Sequence, residues 1–349
     1  MKQVFLLLFL CLPMSTSVLA QDEGTPGGGD LTPVMAVDGL LYKLNEESLT
    51  AKVANSNSWE GELVIPEHIT YNGKAYTVDK MEWMAFYNCT ALTRVRIPKT
   101  LVEIRHYAGF WQDYCNPFVG CTRLERIEVD EENPGMCSVD GVLFSKDRTC
   151  LYSYPAGARS ERYAVPEGVT SLGSAFESNP YLVEVSMPNS VTHIASGIFC
   201  GCKSLQSVIL SERITHIPAY CFNQCESLHF LDIPQSVSSF GESVFRWSPI
   251  KKLVIRGTFR SPDGSYLDGL REDTFYFMDD EVVIYVQPSE VEKFKKVFSG
   301  TVLPLNSYTS TSINGVQFRN TSFHDLQGRR VQQPTKGLYI IDGKKSVVR

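Results

Sequence analysis

Four cysteines in one short stretch of this 349-residue sequence have a spacing that could hold a metal ion. Cys200 and Cys202 are separated by one residue, and Cys221 and Cys225 by three. Four thiolates are a common ligand set of structural zinc sites. Cys202 and Cys225, however, occupy the same place in a repeated pattern, so both should point into a core while Cys200 and Cys221 lie at flanking positions. We therefore predict no metal site here.

Two histidines recur with the interval of the same pattern. His193 and His216 are one repeat apart, which would place them on neighbouring strands about 5 Å apart. The equivalent positions before and after them are Ser171 and Ser239, so a third metal ligand is missing. A solvated polar row is the expected arrangement.

A disulfide is conceivable between Cys137 and Cys150, which bracket a predicted hairpin around residues 145–148. The chain has ten cysteines, and one of them, Cys11, lies in the N-terminal apolar run. The other nine cannot all pair with one another, so at least one thiol should be free.

Catalytic motifs are missing from the sequence. There is no nucleophile elbow, no phosphate-binding glycine loop and no His-Glu-x-x-His pattern, and the acidic residues are dispersed. We therefore predict no enzyme and no cofactor. The net charge of −6, from 33 basic and 39 acidic residues, also lacks the basic field of a nucleic-acid-binding protein.

The N-terminus predicts export. Lys2 precedes an apolar run over residues 4–12, and small residues surround Ala20, as in a signal peptide covering residues 1–20. This run is too short to span a bilayer and no later segment qualifies, so no transmembrane segment is predicted. A lipid anchor on Cys11 is the alternative, although bulky Leu10 precedes it. Glycine-rich residues 21–33 should form a flexible lead.

A repeat with a period of about 23 residues, which is typical of a solenoid, organises the middle of the chain. Phe176, Phe199, Phe222 and Phe245 follow one another at this interval. Each unit contains a Leu-x-x-Val-x-Ile stretch that alternates like a short strand with one buried face. No unit can bury its apolar face alone, so the units should stack around one continuous core.

The repeated frame A-F-x-x-C-x-x-L-x-x-V-x-I-P-x-x-V-x-x-I resembles the leucine-rich repeats of BspA-like bacterial surface proteins. Asn179 stands where other units have cysteine, and residues 105–117 form an irregular insertion. The resemblance covers residues 64–255 and includes a longer hairpin-bearing unit at 130–165. It implies a β-rich leucine-rich-repeat solenoid with a parallel sheet of short strands. These phenylalanines should stack inside it: Phe86, Phe176, Phe199, Phe222 and Phe245.

Smaller segments are expected at both ends of the repeats. Residues 34–63 should form an N-terminal cap, and residues 256–308 a C-terminal capping region with a strand at 282–286 and an amphipathic helix at 290–298. Residues 313–349 should form a small β module. This module is similar to the C-terminal sorting domains of exported Bacteroidetes proteins that use type IX secretion; the alternative is a module that only stabilises the chain.

We therefore expect an exported, non-catalytic protein, secreted or on the outer cell surface, that binds an extracellular protein or glycan through an extended repeat face. Adhesion to a host is one form of this function. The alternatives are a structural component of the cell envelope and, less favoured, an exported nutrient-binding protein or enzyme.

The expected ligand face consists of the strand side chains that point outward between buried positions. Three arginines should concentrate positive charge there, and Ile209 and Phe230 should present apolar surface on adjoining units. The alternative is an ordinary solvated face. The candidate residues are Arg94, Arg96, Arg126, Glu128, Glu184, Ser186, Ser207, Ile209, Phe230 and Asp232.

Overall fold

The computed structural model of the chain describes residues 34–105, 116–259 and 269–308, together with the backbone of four strands between 323 and 348. The expected signal peptide, the flexible lead and most of the irregular insertion lie outside the described residues. Within the described part, no helix is long and apolar enough to cross a membrane.

The first part of the structure joins an antiparallel meander to the start of the repeats. In β2 the side chains of Leu40, Tyr42 and Leu44 are buried in alternation, which anchors the meander. β3 then pairs in parallel with β6, and β4 in parallel with β7. The strands are β1 (Val34–Val37), β2 (Leu40–Asn45), β3 (Thr50–Val53), β4 (Gly61–Val64), β5 (His68–Tyr71), β6 (Lys74–Glu82), β7 (Leu92–Ile97) and β8 (Glu103–Arg105).

The longer unit inserts an antiparallel hairpin between two neighbouring units of the solenoid. β10, β11 and β12 lie side by side in that order, and β12 then pairs in parallel with β14 of the next unit. The strands of this region are β9 (Arg126–Val129), β10 (Met136–Val139), β11 (Val142–Ser145), β12 (Cys150–Ser153) and β13 (Arg162–Ala164).

The conceivable disulfide between Cys137 and Cys150 does not form, and both residues keep their thiols. Cys137 lies on β10 and Cys150 on β12, so β11 separates them. Two interstrand spacings amount to about 9–10 Å, whereas the Cα atoms of a disulfide lie within about 7 Å of each other. The hairpin turn at 145–148 connects β11 to β12, whereas Cys137 is on β10, the strand before β11.

The regular units contribute two short parallel strands each, and these strands form two lines along the solenoid. The first line includes β13, β15 and β17, and then β19 and β21. The second line includes β12, β14 and β16, and then β18 and β20. The bounds are β14 (Ser171–Leu172), β15 (Glu184–Ser186), β16 (His193–Ile194), β17 (Ser207–Ile209), β18 (His216–Ile217), β19 (Phe230–Ile233), β20 (Ser239–Phe240) and β21 (Lys252–Ile255).

The turns that connect the two lines stack as well, and they carry the phenylalanines. The rings of Phe199 and Phe222 are stacked with centroids 5.5 Å apart, and those of Phe222 and Phe245 are 6.1 Å apart. Backbone hydrogen bonds link the same turns, since the Phe222 N–H donates to the Val244 carbonyl at 2.9 Å. The expected stack therefore forms from Phe176 to Phe245, and Phe275 extends it beyond Phe245 with centroids 6.0 Å apart. Phe86 is not part of it, because its ring stacks on Phe118 in a different core cluster.

The side chain at the cysteine position of the repeat donates a hydrogen bond to a backbone carbonyl of the preceding unit. The Cys202 thiol donates to the Phe176 carbonyl at 2.9 Å, and the Cys225 thiol to the Phe199 carbonyl at 3.2 Å. Asn179 uses its side-chain oxygen instead to accept backbone N–H groups of the following turn. Ser248 occupies the same position in the last regular unit and donates to the Phe222 carbonyl. A small buried donor or acceptor is thus required at each turn.

The buried apolar side chains form two clusters, and the expectation of one continuous core is wrong. One cluster runs from Leu40 to Leu143 and the other from Val142 to Val302. The longer unit interrupts the phenylalanine stack, because the tyrosine rings of Tyr154 and Tyr163 pack on Phe176 in place of another phenylalanine. The hairpin itself contributes residues to both clusters.

The C-terminal region continues the solenoid with two further strands. β22 (Val283–Val286) pairs in parallel with β21, and β23 (Thr301–Pro304) pairs in parallel with β22. Between them lies helix α1 (Val291–Val297), whose Phe294 is buried. Short 3-10 helices cover Glu272–Phe275, Pro288–Glu290 and Leu305–Ser307.

Four strands of the tail form a separate antiparallel sheet in the order β25, β24, β26, β27. Their bounds are β24 (Phe323–His324), β25 (Arg330–Val331), β26 (Gly337–Ile341) and β27 (Lys344–Val348). The fold class expected from the sequence, a strand-rich repeat solenoid with parallel sheets, is confirmed.

Candidate functional site

The expected ligand face is built by β4, β7 and β9 of the earlier units and by the first line of parallel strands, and we call the outward side chains of these strands the strand face. Strand register places Glu62, Arg94 and Arg126 beside one another on β4, β7 and β9. Arg96 lies beside Glu128 in the same way. The structure thus brings the predicted residues of the first units onto one surface.

The three arginines of this surface are ion-paired. Arg94 lies 3.2 Å from a carboxylate oxygen of Glu62, and Arg96 lies 3.0 Å from Glu128. The other carboxylate oxygen of Glu128 lies 3.4 Å from the Nε atom of Arg126. Two carboxylates therefore offset most, but not all, of the positive charge of the three arginines. Pairs this exposed contribute at most about 1 kcal/mol each to folding.

The middle of the strand face is more apolar. Glu184 lies beside Ser207, and Ser186 beside Ile209, on β15 and β17. Ile209 and Phe230 are both half-buried, so each offers part of its apolar surface to solvent. Ser207 is buried at 7% exposure, in contrast to the outward position expected for it. Its short side chain is covered because longer side chains occupy the same column on neighbouring strands.

Asp232, the last residue of the predicted ligand face, forms a bidentate ion pair. The Arg256 guanidinium donates two hydrogen bonds to the Asp232 carboxylate, both at 2.8 Å. This hydrogen bonding raises the pKa of Arg256. Beyond this pair, the Tyr308 ring covers the strand side chains, with its centroid 5.1 Å from that of Tyr285 and 5.6 Å from the Lys252 ammonium. The open part of the strand face therefore lies before Asp232.

The second line of strands presents a polar row that is engaged in structural hydrogen bonds. The hydroxyls of Thr170 and Thr192 each donate to a carbonyl of the preceding unit at 3.3 Å. His193 Nδ1 lies 2.8 Å from the Thr192 hydroxyl, and His216 Nδ1 lies 2.7 Å from the Ser239 hydroxyl. In the part of the chain described here, no three His, Cys, Asp or Glu side chains are placed to hold a metal ion.

A different surface lies on the outside of the stacked turns near the C-terminal end. We call it the aromatic patch, and it consists of Arg246, Trp247, Tyr276 and Phe277. Trp247, Tyr276 and Phe277 are 51%, 53% and 61% exposed. The Arg246 guanidinium carbon lies 3.8 Å from the centre of the Trp247 ring and 4.6 Å from that of Phe277. The arginine thus makes cation–π contacts with two adjacent rings, whose centroids are 5.8 Å apart.

Two residues of the aromatic patch have an unfavourable backbone conformation. The second position after each stacked phenylalanine is left-handed, and earlier units place small or polar residues there, such as Gly201 and Gln224. Trp247 and Phe277 occupy this position with φ of 56° and 62°. The left-handed conformation costs an ordinary L-residue about 1–2 kcal/mol.

One nitrogen of the Arg246 guanidinium also lacks a hydrogen-bond partner among the described residues. This Nε atom is buried and has no hydrogen-bond acceptor, and the side chain forms no ion pair with any residue that the structure describes. Leaving such a donor unpaired costs about 1–3 kcal/mol. Strain, exposed aromatic surface and an unpaired cation therefore coincide on four residues.

Sequence reasoning missed the aromatic patch and the partners of the strand face. The signal for the patch was present, because Trp247 occupies the place in the repeated frame where Gln224 and Gly201 stand. Phe277 carried no such signal, because the unit before it is longer than the regular ones. Arg256 and Tyr308 come from the region where the repeat pattern fades.

Comparison with known proteins identifies the repeats. The family described as "BspA type Leucine rich repeat region" matches residues 67–132 and 156–267 in six copies. No curated protein matches the sequence.

Several solved structures are similar. The pneumococcal vaccine antigen PcpA is 18% identical, with a TM-score of 0.46, and the match covers 78% of this chain and 98% of that chain. A leucine rich cell surface protein from Faecalibacterium prausnitzii is 18% identical, with a TM-score of 0.45 and coverage of 78% and 99%. A leucine-rich repeat protein from Bacteroides ovatus is 20% identical, with a TM-score of 0.41 and coverage of 77% and 66%.

Proposed function

Because this chain belongs to the BspA-type leucine-rich repeat family, we propose that it is an exported binding protein that recognises an extracellular protein or glycan through its strand face. A binding or adhesion role fits the leucine-rich repeat surface proteins of this family. Export through a signal peptide at residues 1–20, and delivery or attachment through the tail at 313–349, are parts of the same proposal.

The observation that carries this proposal is the strand face itself. Parallel pairing fixes the backbone of neighbouring strands within each sheet, so their outward side chains form ordered rows. Ile209 and Phe230 supply apolar contact area in its middle, and ion pairs such as Arg96 with Glu128 border it. An apolar centre with a polar rim is the arrangement found in protein interfaces.

We propose a non-catalytic protein, and the four cysteines between residues 200 and 225 are consistent with that role. A catalytic cysteine needs a lowered thiol pKa. Burial instead raises the pKa of Cys200 to about 11, and it raises the pKa values of Cys221 and Cys225 as well. The Cys202 and Cys225 thiols donate to carbonyls of the fold, as described above. A structural role in the cell envelope is the second candidate, because an extended repeat surface also suits assembly with neighbours.

Binding to an array of purified extracellular-matrix proteins, plasma proteins and glycans should identify a ligand. For that ligand, Phe230→Ala should weaken affinity by more than about 1 kcal/mol, or roughly fivefold, because a half-buried aromatic residue at the centre of a face is a typical hot spot. His193→Ala is the matched control, since this exposed side chain lies on the second line of strands. It should leave affinity unchanged.

The strand face would be excluded if neither Phe230→Ala nor the double variant Arg94→Ala with Arg96→Ala changed the dissociation constant. Thermal melting of each variant checks that the fold is retained. A protein that bound nothing on the array but copurified with envelope components would favour the structural role instead.

A further inference from the structure

We propose that the aromatic patch is a second binding site, on the turn side of the solenoid, for a sugar unit that carries a carboxylate. This site does not rest on the strand face, and either surface could bind without the other. Its residues are Arg246, Trp247, Tyr276 and Phe277.

Three unfavourable features coincide on these neighbouring residues. Trp247 and Phe277 hold bulky side chains at left-handed positions, with φ of 56° and 62°. Both rings are more than half exposed. Arg246 keeps a buried Nε without an acceptor among the described residues. Backbone strain persists where function requires it, and a ligand packed on the exposed rings would account for the first two features.

The chemistry of the patch fits an anion attached to an apolar surface. Contact with the Trp247 and Phe277 rings, whose centroids are 5.8 Å apart, holds the guanidinium of Arg246 in the corner between them. A guanidinium stacked in this way keeps N–H groups at its edge, where it binds carboxylates with two hydrogen bonds. The exposed rings beside it can pack against the C–H groups of a sugar ring, as aromatic side chains do in many carbohydrate sites.

The cations Arg271 and Lys251 near the patch are ion-paired, so Arg246 is the cation among the described residues there that is left to bind an anionic ligand. Glu242 accepts a hydrogen bond from the neutral Tyr220 hydroxyl at 2.7 Å and keeps its negative charge. Arg271 donates to Asp273 at 2.8 Å, and Lys251 lies 3.2 Å from Asp279. The single guanidinium of the patch matches one carboxylate per sugar unit, and polar groups such as Glu242 can accept sugar hydroxyls at the margin.

The size of the patch favours a sugar over a protein. Three aromatic side chains, each about half exposed, offer roughly 300 Å² of surface. A stable protein interface requires about 800 Å² from each partner. The patch can therefore cover one or two sugar rings but is smaller than a typical protein interface.

The test is calorimetric titration of the full chain with two carboxylated sugars, trigalacturonate and sialyllactose. Methyl-esterified trigalacturonate and lactose are the matched neutral ligands. We expect at least one carboxylated sugar to bind, and its neutral counterpart to bind at least tenfold more weakly. Trp247→Gly and Arg246→Gln should each weaken the binding at least tenfold.

Two control variants show whether a loss of sugar binding comes from the aromatic patch itself, from a change in the fold or from the strand face. Gln224→Gly changes the equivalent left-handed position one unit earlier and should leave sugar binding unchanged. Phe230→Ala should also leave it unchanged, even where it abolishes binding to a ligand of the strand face. Because glycine suits the left-handed position, Trp247→Gly should keep the melting temperature of the wild type within a few degrees.

The proposal is overturned if neither carboxylated sugar binds at millimolar concentration, if the neutral sugars bind equally well, or if Trp247→Gly binds like the wild type. It is also overturned if Trp247→Gly abolishes binding to a protein from the array while no sugar binds, since the patch would then be a protein interface.

Discussion

Replacing Phe222 with alanine is expected to lower the free energy of unfolding by about 3–5 kcal/mol, which is the usual cost of removing a fully buried aromatic ring. The Phe222 ring lies between Phe199 and Phe245 in nearly parallel stacking, with interplanar angles of 12° and 3°. Its removal takes contacts from both neighbouring units at once. Because a repeat protein derives stability from its nearest-neighbour interfaces, both interfaces should weaken. Urea unfolding followed by circular dichroism measures the loss.

Tyr181→Ala provides the control for Phe222→Ala. Tyr181 is an aromatic residue of the same solenoid, but it is exposed, so its replacement should cost less than about 1 kcal/mol. Equal and small losses for the two variants would show that the phenylalanine stack does not form the core of the repeats.

Asn133→Ala should lower the free energy of unfolding by at least about 3 kcal/mol, because it would leave several buried backbone groups without partners. The Asn133 side chain is fully buried and makes four hydrogen bonds. Its amide group donates to the carbonyls of Pro98 and Leu101 at 2.8 and 2.7 Å. Its oxygen accepts the N–H groups of Gly135 and Met136 at 2.9 and 2.8 Å. This one side chain therefore fastens the hairpin of the longer unit to the preceding unit.

Asn189→Ala is the matched control for Asn133→Ala. The Asn189 side chain accepts one hydrogen bond, from the Glu212 N–H at 3.0 Å, at an exposed site. Water can replace that bond, so the loss should stay below about 1 kcal/mol. A stability of Asn133→Ala equal to that of Asn189→Ala would mean that the longer unit is held by its apolar contacts alone.

The features of the fold that repeat with a fixed period could be predicted from the sequence. Phe176, Phe199 and Phe222 occupy one position of the frame, and a single period determined their stacking. The inward role of Cys202 and Cys225 followed from the same period, because neighbouring units impose the same environment on equivalent positions.

Features that break the period could not be predicted in this way. The position of Cys137 depends on which strand flanks β11, and the order of strands in a sheet is not visible in a local pattern. Phe275 joins the stack after a longer interval than the regular units have, so the frame gives no sign of it. The beginning of the second core cluster depends on Tyr154 and Tyr163, which belong to the irregular unit.

The candidate site was predictable only as a list of outward positions. Alternation along a strand identified Arg94 and Arg96, but their ion pairs with Glu62 and Glu128 depend on register between strands. Ser207 was misplaced because alternation takes no account of the length of neighbouring side chains. The aromatic patch depends on a positive φ and on contact between Arg246 and Phe277, which belong to different units of the chain.

The central claim, that this solenoid works as a binding protein outside the cell, is tested most directly by brief trypsin treatment of intact cells. Exposed cleavage sites such as Arg162 and Lys203 should release peptides that mass spectrometry identifies. We expect these peptides in the shaved fraction or the culture medium, without cytosolic marker proteins, and we expect the mature chain to begin near Gln21. Peptides that appear only after lysis, from a chain that retains Met1, would contradict the account.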